Sequence, residues 1–288
     1  MKLSFTDQPE LAEGLFDLLD VVFPGVKGGA QEIRALGAPW ESVSTPFVHV
    51  EGGRVVSHVG VIELPLVIHG EPVMVGAVHA VSTHPDHLRR GHYRRVMEEL
   101  LADSAGRFGT LVLTTEHPEY FEPFGFRRVR ECRFHGTLSS PGGRGGLRRV
   151  DPMDPEDNAL LHRLLGTREP VSEVLGVVKE KAIFLFNESH RPLHYARDLD
   201  ALICMEIHEG KLGLFDVVAP KIPSLEEIVS RVPERLRGTA VHFTPDRLGF
   251  PLEPVPGLFE HGGPSHFMVR GPFAPEGEPF ALPRSART

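Results

Sequence analysis

Thiols are scarce in this sequence: Cys132 and Cys204 are the only cysteines in 288 residues. Two thiols so far apart suggest neither a disulfide framework nor a zinc-ligand pattern. No run of about 20 apolar residues occurs, so no membrane-spanning helix is expected. Met1 to Asp20 interrupts its apolar positions with acidic ones and does not read as a signal peptide. A basic excess is missing as well. The net charge is -8 and the pI about 6.1, the opposite of the usual signature of a nucleic-acid-binding protein. These absences favour a reduced, cytoplasmic protein that engages neither membrane nor nucleic acid, and they leave a homo-oligomer open. What is present is 41% hydrophobic and 24% charged residues, as in soluble globular chains. The length favours two domains.

Hydrophobic spacing divides the chain. Leu11, Leu15, Leu18, Leu19 and Val22 recur at helical period, which predicts a helix over 8–23. A second, short helix is expected at 31–36. Residues 47–50, 55–66 and 73–82 are rich in β-branched side chains and punctuated by Gly52-Gly53 and His69-Gly70. They read as antiparallel strands joined by tight turns. After the polar, basic stretch 84–92, Tyr93, Val96, Met97, Leu100 and Leu101 mark a helix to about residue 105. Strands are expected at 110–115 and 127–138. The stretch 139–146 (SSPGGRGG) reads as a linker. The division is therefore 1–140, 147–272 and a Pro-rich, poorly ordered tail over 273–288. In the second half a helix is expected at 155–165. Strands are expected at 182–186, 201–207, 211–218, 240–244 and 266–270, with a helix at 224–232. The order strand, Pro, helix, strand recurs in both halves, which suggests a duplication at the level of the fold.

The strand–loop–helix unit at 81–105 carries the functional argument. Free N–H groups at a helix start, reinforced by the helix dipole, form an anion site. Arg89, Arg90 and Arg94 add formal charge there, and Gly91 allows close approach of a ligand. The spacing fits neither a Gly-Lys-Ser/Thr phosphate loop nor a GxGxxG dinucleotide fingerprint.

Residues 77–101, AVHAVSTHPDHLRRGHYRRVMEELL, resemble the acetyl-CoA-binding motif of the GNAT superfamily of N-acetyltransferases. Leu88, Gly91 and Tyr93 stand at the three motif positions where the family has Gln/Arg, Gly and Gly/Ala. The Arg-Arg-Gly-x-x-Arg variant is similar to the Eis-like ("enhanced intracellular survival") tandem branch. Residues 120–126, YFEPFGF, resemble the aromatic-Gly-Phe segment that follows the family's fifth strand. The resemblance implies a mixed α/β GNAT fold in two tandem units, the second degenerate. It also implies acetyl transfer from acetyl-CoA to a primary amine of a small molecule or peptide by direct attack. It would set the backbone of Val81 and Thr83 against pantetheine and the loop Leu88, Arg89, Arg90, Gly91, His92, Tyr93 and Arg94 around the pyrophosphate.

Direct attack needs a base for the amine, donors aimed at the thioester oxygen and an acid for the leaving thiolate. At the Tyr position of the family stands Phe121, which has no proton to give, so Tyr120 is the nearest candidate acid. Glu116 and then His117, at the end of the strand, are the candidate bases. His84, His87 and His92 lack a supporting ligand pattern, and no metal is expected. Ser224 and Glu227 form a capping box, so the second half is expected to bind no CoA. Thr288 ends the Pro-rich tail, so the catalytic role that some Eis-like enzymes give the chain terminus is not carried over to it. Two alternatives remain: a non-catalytic CoA-binding sensor or scaffold, which Phe121 keeps open, and an unrelated phosphate-binding protein.

Overall fold

Ala12, Leu15, Leu18 and Leu19 bury one side of helix α1 (Pro9–Val22), which leads into α2 (Val26–Ala35). The computed structural model describes residues 1–257, 259–260 and 264–288. The antiparallel strands β1 (Ser44–Glu51), β2 (Arg54–Ile68) and β3 (Glu71–Thr83) follow, with β2 buried along most of its length. Helix α3 (His92–Ser104) crosses back to β4 (Leu111–Thr115), which lies parallel to β3. Next come β5 (Arg127–Val129), β6 (Cys132–Ser140), β7 (Leu147–Val150), α4 (Pro155–Thr167), β8 (Leu175–Val177) and α5 (Ala182–Glu188). The chain continues through β9 (Leu193–Ala196), β10 (Ala201–His208), β11 (Lys211–Val218), α6 (Leu225–Val229), β12 (Leu236–Val241), β13 (Glu253–Pro256), β14 (Phe259–Glu260) and β15 (Pro264–Arg270). Among the described residues no helix is long and apolar enough to cross a membrane.

The elements form two mixed sheets, and each takes a strand from the other half of the chain. The first runs β1-β2-β3-β4-β15-β14, with β5 on β15 and β8 on β2. The second runs β13-β6-β12-β11-β10-β9-β7. Strand β6 thus leaves the N-terminal half for the second sheet, while β15 returns to pair with β4. Each inserted strand covers backbone groups that would otherwise form an open edge. The division expected at 140/147 therefore does not separate the sheets.

Further expectations need correction. Residues 127–138 are not one strand: β5 and β6 lie in different sheets. Residues 182–186 form a helix, because a five-residue apolar run does not tell a buried strand from a buried helix. The Glu180 carboxylate decides the outcome by accepting from the Ile183 and Phe184 amides at 2.8 and 3.0 Å. The stretch 273–288 is a packed strap. Phe280, Ala281, Leu282 and Ala286 are buried, and the Phe280 carbonyl accepts from the Cys132 amide at 2.8 Å. The strap turns at 274–277 and closes on a single helical turn at Arg284–Ala286, and its arginines end on buried carboxylates. Arg284 forks onto Glu188 (2.8 and 2.8 Å), and Arg287 onto Glu131 (2.6 and 2.9 Å). Ser285 donates to Asp216 at 2.5 Å, and Asp216 also pairs with Arg168 at 2.8 Å.

Candidate active site

Strands β3 and β4 pair only at Gly76–Leu111 and Ala77–Val112 and then part. The gap is bridged by the strap: the Thr114 amide donates to the Thr288 backbone oxygen at 3.3 Å, and Thr288 Oγ1 donates to the Val78 carbonyl at 3.2 Å. Thr288 thus sits where the strands diverge. A bulge opposite His58–Gly60 throws Ala80 into the left-handed region at φ 49°. Beyond it Val81 packs among the side chains around Tyr93, and Thr83 Oγ1 meets Ser57 Oγ at 2.9 Å. The edge of β3 beyond Ala77 therefore has no β4 partner.

The loop after β3 is shaped for an anion. Arg89 and Gly91 have φ of 60° and 80°, an alternation that turns successive amides inward. Helix α3 begins at His92 with Gly91 as its N-cap and no capping side chain. Among the described residues no protein acceptor takes an amide hydrogen from 89–94; the first amide closed back is that of Arg95, on the Gly91 carbonyl. The helix dipole adds positive charge at that point. Leu88, Arg89, Arg90 and Arg94 are exposed. Arg90 donates to the Asp86 carbonyl at 2.9 Å and lies 3.5 Å from Glu51. Tyr93 turns inward, edge-on to Phe124 and Phe121 (5.4 and 6.3 Å), and its hydroxyl donates to the Tyr120 carbonyl at 2.9 Å. Burial raises the pKa of that phenol.

The candidate acid and bases gather at the far end of β4. Phe121 is buried in the core beneath α3, with Phe126 and Val96. Tyr120 is exposed and stacks on His117 at 5.2 Å. His117 Nδ1 lies 3.3 Å from Glu119, and Glu116 is exposed.

The opposite face of the first sheet holds buried polar groups. Val59, Val61 and Val78 pack on Val96, Met97 and Leu100 of α3. Their neighbours Ile62, Val75 and Ala77 point the other way, into a core shared with Phe280 and Ile183. On that second side lie His58 and His79, both buried, with ring centroids 5.9 Å apart. His58 Nδ1–H donates to the Ala80 carbonyl at 2.8 Å. That leaves Nε2 as an acceptor, buried and without a partner among the described residues, as are His79 Nδ1 and Ser82 Oγ. Desolvation outweighs the backbone bond and lowers His58 to about 4. Burial, then His58, holds His79 well below its ordinary value. His79 Nε2 contacts Ser44 Oγ at 2.9 Å and lies where a Cβ on Gly60 would come within 2.2 Å. A strand histidine facing inward was the only signal, and His58 shows it no more than other residues of its strand.

In the second half, Ser224 and Glu227 close a reciprocal capping box, so the start of α6 already satisfies its own donors.

Comparison with known proteins accords with this geometry. Residues 8–129 match a family model described as an acetyltransferase (GNAT) domain. No curated protein sequence matches. Among solved structures, the fold is similar to a GCN5-related N-acetyltransferase from Kribbella flavida (18% identity, 96% of this chain and 71% of that one, TM-score 0.58). It is also similar to Eis1 from Mycobacterium abscessus (14% identity, 94% and 72%, TM-score 0.56). A GCN5-related N-acetyltransferase from Anabaena variabilis matches at 14% identity, covering 91% and 70%, with a TM-score of 0.55.

Proposed function

We propose, from a chain whose residues 8–129 match a GNAT acetyltransferase domain model, that this protein transfers acetyl from acetyl-CoA to a primary amine by direct attack. The observation that carries the reading is the run of unclaimed amides over 89–94 beside strands that part after Ala77 and Val112. A pyrophosphate fits that run, because the amides, the dipole of α3 and Arg89 all favour an anion. The free edge of β3 at Val81 and Thr83 suits the amides of pantetheine. When bound, acetyl-CoA supplies the activated acyl group; the protein supplies position, donors and proton acceptors.

The cofactor loop opens on the α3 side of the sheet. Glu116 and His117, at the end of β4, take the ammonium proton, and Tyr120 is the donor for the leaving thiolate. The first sheet carries the chemistry. The second sheet walls the acceptor side and, with its helix start already capped, binds no CoA.

A non-catalytic CoA-binding module is favoured by one observation, the burial of Phe121 in the core at the expected acid position. Incubation with acetyl-CoA and a panel of small-molecule and peptide amines, following free thiol and acetylated product by mass spectrometry, separates the two. Amine-dependent release of CoA is expected. Tight CoA binding with no turnover on any amine would leave the binding module.

A further inference from the structure

Behind the cofactor loop, β1 and the first turn of α3 bring together side chains 41 to 43 positions apart in sequence. His49, Glu51 and His92 offer donor atoms that all lie within 4.8 Å of one another. The His49 and His92 rings stack at 4.3 Å with 20° between planes, which sets their nitrogen edges side by side. His92 is only 11% exposed, and its Nε2 lies 3.3 Å from Glu51 Oε2. Yet that nitrogen is buried and makes no hydrogen bond among the described residues. Nitrogen and oxygen therefore stand close without one pointing at the other, as two ligands converging on a common point do. In a tetrahedral zinc site with bonds of about 2.0 Å, neighbouring donors lie about 3.3 Å apart. His87 Nδ1 hydrogen-bonds the same carboxylate oxygen at 3.3 Å and lies outside the three-residue cluster.

We propose that His49, Glu51 and His92 form a binding site for one divalent transition-metal ion of the zinc type. Two imidazoles and one carboxylate suit zinc, nickel or copper rather than magnesium or calcium, which prefer all-oxygen shells. The ion also changes the loop. Glu51 now lies 3.5 Å from Arg90; ligation neutralises that carboxylate, releases Arg90 and adds positive charge beside the free amides. This second consequence rests on the CoA reading, whereas the site itself does not.

The test uses the full chain, untagged and stripped with chelator. Cobalt(II) is titrated by its visible d–d absorption and zinc by competition with a chromophoric chelator. One ion per chain is expected, with affinity at least about tenfold weaker in His92→Ala and in Glu51→Gln and unchanged in His208→Ala, whose side chain is 91% exposed. Equal melting temperatures of the ion-free variants and wild type show that the fold persists. CoA should bind at least about threefold more tightly with the ion present. Failure to take up zinc at submillimolar concentration, or undiminished uptake by His49→Ala/His92→Ala, overturns the site. Uptake with unchanged CoA affinity overturns the coupling alone. Zinc uptake with no CoA binding in either state overturns the cofactor reading and leaves the metal site standing.

Discussion

Arg284→Ala tests the strap that delivers residue 288 to the parting strands. Arg284 is 5% exposed and its partner Glu188 0%. The guanidinium forks onto both carboxylate oxygens, reaches Glu206 at 3.2 Å and lies 3.7 Å from the centre of the Phe215 ring. Truncation leaves a buried carboxylate without a counter-ion, which costs about 3–5 kcal/mol. At roughly 2–4 °C per kcal/mol for a chain of this size, the melting temperature should fall by about 6–20 °C. The loss should depend on pH. Burial already raises Glu188 above its ordinary value of 4.5, with Arg284 pulling the other way. Without Arg284 the carboxyl rises further, so the native state favours the protonated acid. A carboxyl raised on folding gives stability that is fully present below the unfolded value and is lost as pH climbs toward the folded one. Denaturant unfolding should therefore show a smaller deficit at pH 5 than at pH 8. Glu188→Gln/Arg284→Met should recover most of the loss, since it removes both charges. A single variant within about 1 kcal/mol of wild type at both pH values would refute the buried-pair argument.

Other consequences are sharp enough to measure. His58 has a folded pKa of about 4 against 6.5 unfolded. Its contribution is thus present above pH 6.5 and lost as pH falls toward 4, about 3 kcal/mol in all. His58→Gln should flatten that part of the stability profile, and an unchanged slope would remove His58 from the account. Gly60→Ala would bring a Cβ within 2.2 Å of His79 Nε2; displacing the ring from Ser44 should cost about 1–3 kcal/mol by chemical denaturation. Burial pushes the Cys204 thiol well above its ordinary value. Cys204 should therefore resist alkylation in the native protein and react once urea unfolds it; labelling under native conditions would contradict the packing.

Local patterns carried over well wherever one element buries one face. The Leu15–Leu18–Leu19 spacing marked α1, β-branched runs punctuated by Gly52-Gly53 and His69-Gly70 marked β1 to β3, and Ser224 with Glu227 marked the capping box observed before α6. The turn from β3 into α3 was also legible, because its basic residues, its glycine and its helix start are contiguous. What escaped was set by distant partners. Nothing near Cys132–Ser140 indicates that it pairs with Leu236–Val241, nor anything near Pro264–Arg270 that it returns to β4. Pro-rich composition concealed a strap because its order comes from Glu131, Glu188 and Asp216, carboxylates far away in sequence. The same holds for His49 and Glu51, which meet His92 only once β1 lies beneath α3.

The central claim is that the amides of 89–94 and the parted strands hold acetyl-CoA, and a thermal-unfolding titration tests it most directly. Acetyl-CoA at about a hundred times its dissociation constant should add roughly 2.7 kcal/mol of stability. The rise in melting temperature should be absent with ATP and lost in Arg89→Ala/Arg90→Ala. No rise with millimolar acetyl-CoA, or an equal rise in that variant, would contradict the account.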